Sequence, residues 1–236
     1  MLLHYYYYDE KHGNNYNDQS NKINNNQLFQ YAVKSEFTYN QTDLSLYFCD
    51  HMDRFQPVFT QNGSELVPNY FQVQQFGFTS QSAIKDFLVK IEYGYRNFIG
   101  KHNSMSQQNH TQLAVGTEYS YYHVNGFEST LFTEYSIIPD VSKSIRSQLS
   151  IFQNDLLLGY RLSLNNESSS EVQLFFFKDL DYDSDHLLSV NLSQRFFDRI
   201  KGNIGLQWVY SKNNQNSGFE SIKNADFAYF SVTNYF

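Results

Sequence analysis

Cysteine, proline and long apolar runs are scarce in this chain of 236 residues. The single cysteine, Cys49, excludes an intramolecular disulfide framework and offers no metal cluster. Three prolines suit long strands, because proline removes a donor from the hydrogen-bond ladder of a sheet. No apolar run reaches about 18 residues, which excludes a transmembrane helix. The net charge of -7 argues against a nucleic-acid partner, since such binders are usually basic.

The composition is polar on average and, at the same time, rich in aromatic residues. Only 41% of the residues are hydrophobic and the mean hydropathy is -0.56, yet 18% are aromatic. A sheet that presents one face to lipid and the other to water needs this mixture, with aromatic girdles at the interfaces. The length is compatible with one all-β domain over residues 1–236.

The clearest local pattern lies at 154–165, where apolar and mostly polar residues alternate. Leucine or tyrosine occupies positions 156, 158, 160, 162 and 164, and Gly159, Arg161 and Asn165 lie between them. Successive side chains of a strand point to opposite faces, so the segment predicts a strand with one apolar face. A helix would leave these residues without an apolar stripe.

The same alternation recurs along the chain and predicts twelve antiparallel strands, the first at 1–9 and the last at 224–236. A polar tract at 11–26 separates the first two. The connections alternate in length, as external loops and periplasmic turns do in membrane barrels. Long ones begin near residues 11, 57, 99, 139, 181 and 211, and tight ones fall near 41, 82, 125, 167 and 198.

Two segments interrupt this regularity. The apolar phase slips between Val73 and Phe76, which predicts a bulge near Gln74 and Gln75 because one extra residue shifts the phase of a strand. The segment 139–153 is interpreted as a long loop, or as strand extensions above the membrane. Counting it as a strand would upset the even parity that places both termini in the periplasm.

The two ends of the chain bear on localisation. The last strand ends on Phe236, with Phe230 and Val232 on the same face. A terminal aromatic residue there resembles the signal read by the outer-membrane assembly machinery, which we expect as a partner beside the lipid bilayer. The opening residues lack a basic region and a small-residue cleavage site, so they are not a signal peptide. We therefore expect a mature or N-terminally incomplete chain, folded as an antiparallel transmembrane β-barrel in the outer membrane of a Gram-negative bacterium.

If the apolar faces meet lipid, the opposite faces line the interior. Lining candidates there are Glu92, Arg96, Glu118, Glu134 and Arg161. The strands on either side of the predicted turn at Asn125 and Gly126 are expected to pair, which would bring Glu118 near Glu134, and both near Arg161. Such charges either pair and hold or plug the wall, or they set the selectivity of a water-filled path. Both interpretations stay open.

Other chemistry is not expected. The acidic segment 179–185 suggests a calcium site, because carboxylates at alternate positions can bind one ion. A calcium loop of the EF-hand type also needs glycine at its sixth position and glutamate at its twelfth, and these positions hold Ser184 and Val190, so a solvated loop is favoured. The seven histidines are scattered without ligand spacing, and His123 has no serine partner in a dyad context. We predict no catalytic residue, no metal, no cofactor and no enzymatic activity.

The segment 152–165 resembles the central motif of a group of uncharacterised Gram-negative outer-membrane barrel proteins. It reads Phe-Gln-Asn-Asp, then a hydrophobic stretch with Gly159, then Arg161 and a closing Asn165. The flanking segments at 116–119 and 132–135 and the final Asn-Tyr-Phe also match. The resemblance covers 116–236 and implies an outer-membrane barrel, without an activity or a functional residue.

Two functions follow from these expectations. The favoured one is passive, porin-like passage of small solutes through the barrel. The alternative is a closed structural or adhesion barrel whose external loops bind a partner.

Overall fold

The chain forms one antiparallel sheet of eleven strands. The computed structural model describes residues 30–62, 65–99, 108–196, 199–212 and 217–235, with the backbone alone at 54–62 and 65–70. The strands are β1 (Tyr31–Tyr39), β2 (Thr42–Asn62), β3 (Glu65–Ile84), β4 (Phe87–Phe98), β5 (His110–Tyr122), β6 (Glu128–Ile137), β7 (Asn154–Ser163), β8 (Glu171–Asp179), β9 (His186–Phe196), β10 (Ile200–Tyr210) and β11 (Phe227–Asn234). A helix, α1 (Lys143–Leu149), and a 3-10 helix (Phe219–Ile222) lie in two of the connections.

Every strand pairs with its neighbours in the chain, in the order β1 to β11. This is the order of an up-and-down barrel. In the described ranges β1 and β11 are not paired with each other, and the order is compatible with a barrel. The predicted all-β antiparallel class is confirmed. Eleven of the twelve predicted strands are seen, while the predicted strand at 1–9 and the tract at 11–26 lie outside the described residues.

The sheet curls around one of its faces. Tyr47 of β2 and Phe177 of β8 line a single cavity of about 280 Å³. In a flat sheet these two strands would lie about 29 Å apart, at ~4.8 Å for each pairing. A compact cavity of that volume is much shorter than this distance, which indicates that the sheet is rolled around it. We call the side that carries the cavity the inner face and the opposite side the outer face.

The outer face is apolar and the inner face holds buried polar groups. On β7 the predicted alternation is confirmed, because Leu158 points outward and is 48% exposed while Asp155 points inward and is 2% exposed. Each strand contributes an exposed, large apolar side chain to the outer face: Phe37, Leu46, Phe76, Ile91, Val115, Leu131, Leu158, Phe176, Leu188, Ile204 and Phe230. This distribution is the reverse of that in a water-soluble domain.

The first hairpin of long strands extends further than the sequence suggests. The predicted polar loop from about residue 57 to 68 is wrong, because β2 runs to Asn62 and β3 starts at Glu65. Their ladder has one register shift, between Asp53 and Val58. Polar composition at 57–62 and 65–68 therefore did not distinguish a strand from a loop.

The predicted bulge at Gln74 and Gln75 is also wrong, since β3 pairs without interruption with both neighbours from Val73 onward. Val73 points inward and is fully buried. On the outer face, Asp50 accepts hydrogen bonds from Gln72 Nε2 at 2.5 Å and from Gln74 Nε2 at 3.1 Å. At this end of β3 the polar side chains therefore lie on the outer face and Val73 lies on the inner face, the reverse of the order further along the strand. The pairing is regular, so no inserted residue is needed to explain the change of phase.

The connections otherwise follow the predicted long and short pattern. Asn40 and Gly126 adopt positive φ angles of 53° and 87° in the tight turns predicted there, while the turn predicted near Ser82 lies at 85–86. The segment 139–153 is a connection that contains α1, as the loop interpretation requires. Residue 198 and Phe236 lie outside the described residues. No helix in the described ranges has the length and apolar character needed to cross a membrane.

Candidate functional site

The five predicted lining residues share the inner face. Glu92 and Arg96 lie on β4, Glu118 on β5, Glu134 on β6 and Arg161 on β7. The pairing register places all five at positions that alternate with the exposed apolar residues of the outer face. The sequence pattern therefore predicted that these five residues share one face of the sheet, and their role as a lining stays a prediction.

The expected contact of Arg161 with two carboxylates of neighbouring strands is only partly present. Arg161 lies opposite Thr130, and its Nη2 atom is 3.1 Å from Thr130 Oγ1 and 3.4 Å from Glu128 Oε1. The expectation that Glu118 and Glu134 both lie near Arg161 is wrong. The β6–β7 register puts Leu157 opposite Glu134, four residues along β7 from Arg161.

Two other inner-face cations, Lys90 and Arg96, are also paired with carboxylates. Lys90 binds Glu118 across β4 and β5, and Arg96 Nη2 lies 2.8 Å from Asp53 Oδ2. The Arg96 and Asp53 side chains are only 15% and 2% exposed, so this pair is held in a nearly dry part of the interior. These pairs connect different strands across the inner face.

Glu92 and Glu134 remain as exposed carboxylates without an ion pair among the described residues. Both line the cavity that defines the inner face. The cavity lining combines three carboxyl groups and four aromatic residues: Glu92, Glu134, Asp155, Tyr47, Tyr93, Phe152 and Phe177. No Lys, Arg or His is present in this described lining, so Glu92 and Glu134 give the cavity a negative potential.

Small residues form the floor of the cavity. The register places Glu92, Ala114, Ser136 and Asp155 in one row across β4 to β7. Because Ala114 and Ser136 are short, they leave space between the carboxylates at the two ends of the row. The backbone positions at the ends are about 14 Å apart along the sheet, at ~4.8 Å for each pairing.

Tyr47 lies across the wall beside this row. A Cβ atom added to Gly77 would lie 1.9 Å from Cζ of Tyr47, so the ring occupies the space that a side chain at Gly77 would need. The hydroxyl of Tyr47 lies 3.4 Å from Nε2 of Gln75. Glycine at 77 therefore allows an aromatic ring to lie flat on the inner face at the cavity.

Three connections cover one end of the inner face, and we call residues 138–153, 180–185 and 217–226 the cap. Its apolar contacts centre on Phe219, which is fully buried against Leu187 and Val209. The ring of Phe152 lies 5.0 Å from that of Phe177 and 5.9 Å from that of Phe219. Phe152 thus joins the cap to the cavity.

A bidentate ion pair holds α1 in the cap. Arg146 donates from Nε to Asp181 Oδ2 at 2.6 Å and from Nη2 to Asp181 Oδ1 at 2.7 Å. Burial opposes ionisation of Asp181, but hydrogen bonds from Arg146 and Asn154 outweigh it, so the pKa of Asp181 lies below its ordinary value. The hydrogen bond to Asp181 in turn raises the pKa of Arg146.

The prediction that 179–185 is a solvated loop is wrong for two of its carboxylates, since Asp179 and Asp185 are fully buried. Asp179 accepts hydrogen bonds from the backbone N–H groups of Asp181 and Tyr182 at 2.7 and 3.0 Å. Ser211 donates to Asp185 at 3.0 Å. Among the described residues no group of His, Cys, Asp and Glu is arranged to hold a metal ion.

Sequence reasoning missed that the Phe-Gln-Asn-Asp segment links this cap to the wall. Gln153 donates from Nε2 to Asp179 at 3.2 Å, and Asn154 donates from Nδ2 to Asp181 at 2.9 Å. Asp155 accepts hydrogen bonds from the backbone of Gln153 and Asn154 through Oδ2. The run of four polar and aromatic residues at the start of a strand was the signal for these roles.

No protein-family model, no curated protein and no solved structure matches the chain. The resemblance carried by 152–165 therefore stays a prediction.

Proposed function

We propose that this chain is a transmembrane β-barrel of a Gram-negative outer membrane. The observation that carries the proposal is the outer face, where every strand exposes a large apolar side chain. A continuous apolar surface of this kind is costly in water and is expected against lipid. A sheet is stable in lipid when its edges are closed, which favours a barrel. Insertion by the outer-membrane assembly machinery, through the last strand, is part of this proposal.

Within that class, we propose passive passage of small solutes as the function. The support comes from the inner face, which is polar and encloses a cavity rather than a packed apolar core. Glu92 and Glu134 are exposed in that cavity, whereas Arg96 and Arg161 are neutralised by carboxylates. A path lined in this way favours cations over anions, because fixed charges set the selectivity of a narrow pore.

The second candidate is a closed structural or adhesion barrel that binds a partner through its loops. The observation in its favour is the cap, which covers one end of the inner face and is held by Arg146 and Asp181. A cap that stays bound to the wall would block the path for solutes and leave the connections as the surface that binds a partner.

Conductance distinguishes the two candidates. Purified protein is refolded, inserted into a planar bilayer and measured under a salt gradient, so that the reversal potential gives the ratio of cation to anion permeability. We expect discrete steps with a cation preference that falls in the Glu92→Gln and Glu134→Gln variants. Glu167→Gln is the matched control, since it removes the same charge from an exposed turn.

A protein that inserts and migrates differently after boiling, yet conducts no ions, contradicts the channel and supports the closed barrel. Equal ion preference in Glu92→Gln, Glu134→Gln and Glu167→Gln would contradict the assignment of the lining, even with a conducting barrel.

A further inference from the structure

We propose that the cavity between β2 and β8 is a binding site for a small aliphatic diamine. The inference deepens the proposed function by naming a solute class for the inner face, and it rests on that face holding water rather than lipid.

The charge of the cavity is the first argument. Glu92, Glu134 and Asp155 all contribute to the lining, and the described lining has no basic residue to balance them. Asp155 is 2% exposed, and its Oδ1 atom has no hydrogen-bond partner among the described residues. A buried acceptor of this kind is costly unless it is paired, so it points to a donor that arrives with a ligand.

The spacing of the carboxylates is the second argument, and it distinguishes a diamine from a metal ion. Glu92 and Asp155 end a row whose middle positions are Ala114 and Ser136, so the two carboxyl groups are separated by a shallow floor. One inorganic ion needs its ligands within about 2.6 Å, which carboxylates on opposite ends of a row do not offer together. Two ammonium groups joined by a short methylene chain can donate hydrogen bonds to the carboxyl groups at both ends.

The aromatic rings are the third argument. Tyr47, Phe152 and Phe177 line the same cavity as the carboxylates. Aromatic faces attract ammonium groups and also pack against methylene groups. The volume of about 280 Å³ lies just below the range of sites for drug-sized ligands, so a short chain is the appropriate size.

Calorimetric titration of the full chain in a neutral detergent tests the site, with putrescine as the probe. We expect saturable binding with a Kd below about 1 mM. Butanediol, which has the same length without charge, should not bind, and magnesium chloride at matched ionic strength should not compete. Each lost charge-assisted contact should weaken putrescine binding by about tenfold, so we expect that loss in Glu92→Gln and again in Glu134→Gln.

Glu36→Gln is the matched control, because Glu36 lies on the inner face of β1, outside the cavity lining. It should bind putrescine as the unmodified chain does. Asp155→Asn should also weaken binding, and the two glutamate variants keep the test decisive if that buried substitution prevents folding.

Three results would overturn the diamine site: no saturable heat up to about 10 mM putrescine, equal binding of butanediol, or the same affinity in Glu92→Gln as in Glu36→Gln. Conducting barrels without putrescine binding would remove this inference and leave the proposed channel. Binding by a protein that never conducts would keep the site and contradict the channel.

Discussion

Replacing Arg146 with alanine should release the cap from the wall. The Arg146 and Asp181 side chains are 15% and 10% exposed, and the pair has two short hydrogen bonds. Breaking a fully buried pair costs about 3–5 kcal/mol, because the remaining charge is left without a partner. Contact with water at the edge of the cap reduces this, and we expect about 2–3 kcal/mol.

Hydrogen exchange followed by mass spectrometry measures this cost directly. A loss of about 2–3 kcal/mol in the opening free energy corresponds to roughly 30- to 150-fold faster exchange of the α1 amides. Peptides from the middle of β7 should keep their protection, since the wall ladder is unchanged. Arg146→Lys should give an intermediate effect, because lysine keeps the charge and loses the bidentate geometry.

Arg199→Ala is the matched control, as Arg199 is exposed in the turn before β10. Unchanged exchange of α1 in Arg146→Ala, or an equal change in Arg199→Ala, would refute the view that this ion pair holds the cap.

Lowering the pH should speed hydrogen exchange of the α1 amides, as the Arg146→Ala substitution does. The pKa of Asp181 is lowered in the folded protein, so its contribution to stability is complete above the unfolded pKa of about 4. That contribution is lost as the pH falls through the lower folded value. Exchange of α1, corrected for the intrinsic rate, should therefore rise below about pH 4. Asp181→Asn should lack this rise.

Two further predictions concern the wall. Gly77→Ala should destabilise the barrel by about 1–3 kcal/mol, measured by urea unfolding from lipid vesicles, because the new Cβ displaces the Tyr47 ring. Gly94→Ala is the control and should be tolerated, since its Cβ would lie 3.8 Å from the Tyr47 hydroxyl. Leu158→Lys on the outer face should lower the free energy of unfolding by about 2–4 kcal/mol in the same assay if residue 158 faces lipid. Gln173→Lys on the inner face should leave it nearly unchanged, and equal effects of the two substitutions would contradict the lipid-facing assignment.

The strands and their faces could be predicted because the pattern of a strand is local. Leu156 and Leu158 alternate with Leu157 and Gly159, and each side chain's face follows from its position alone. The turn at Gly126 was readable for the same reason, since its positive φ is a property of a few residues.

The errors arose where one segment depends on another that is distant in the chain. The change of apolar phase between Val73 and Phe76 is visible in the sequence, but only the regular pairing with β2 near Asp50 shows that the faces exchange polarity without a bulge. The acidic segment appeared solvated because Gln153, 26 residues before Asp179, supplies its side-chain hydrogen bond. Likewise α1 is too short to be stable alone and depends on Asp181.

The hairpin-only order of the sheet has a consequence for folding. Every pairing in the described ranges joins strands that are consecutive in the chain. Forming each pair therefore closes only the loop made by the single connection between its two strands. The entropy lost in closing a loop grows only slowly with its length, by about 0.6 kcal/mol for each doubling. Contacts are therefore local in sequence, which favours fast formation. The strands from β1 to β11 can be added to the growing sheet one at a time, whereas pairing β1 with β11 would have to bring together parts of the chain that are distant in sequence.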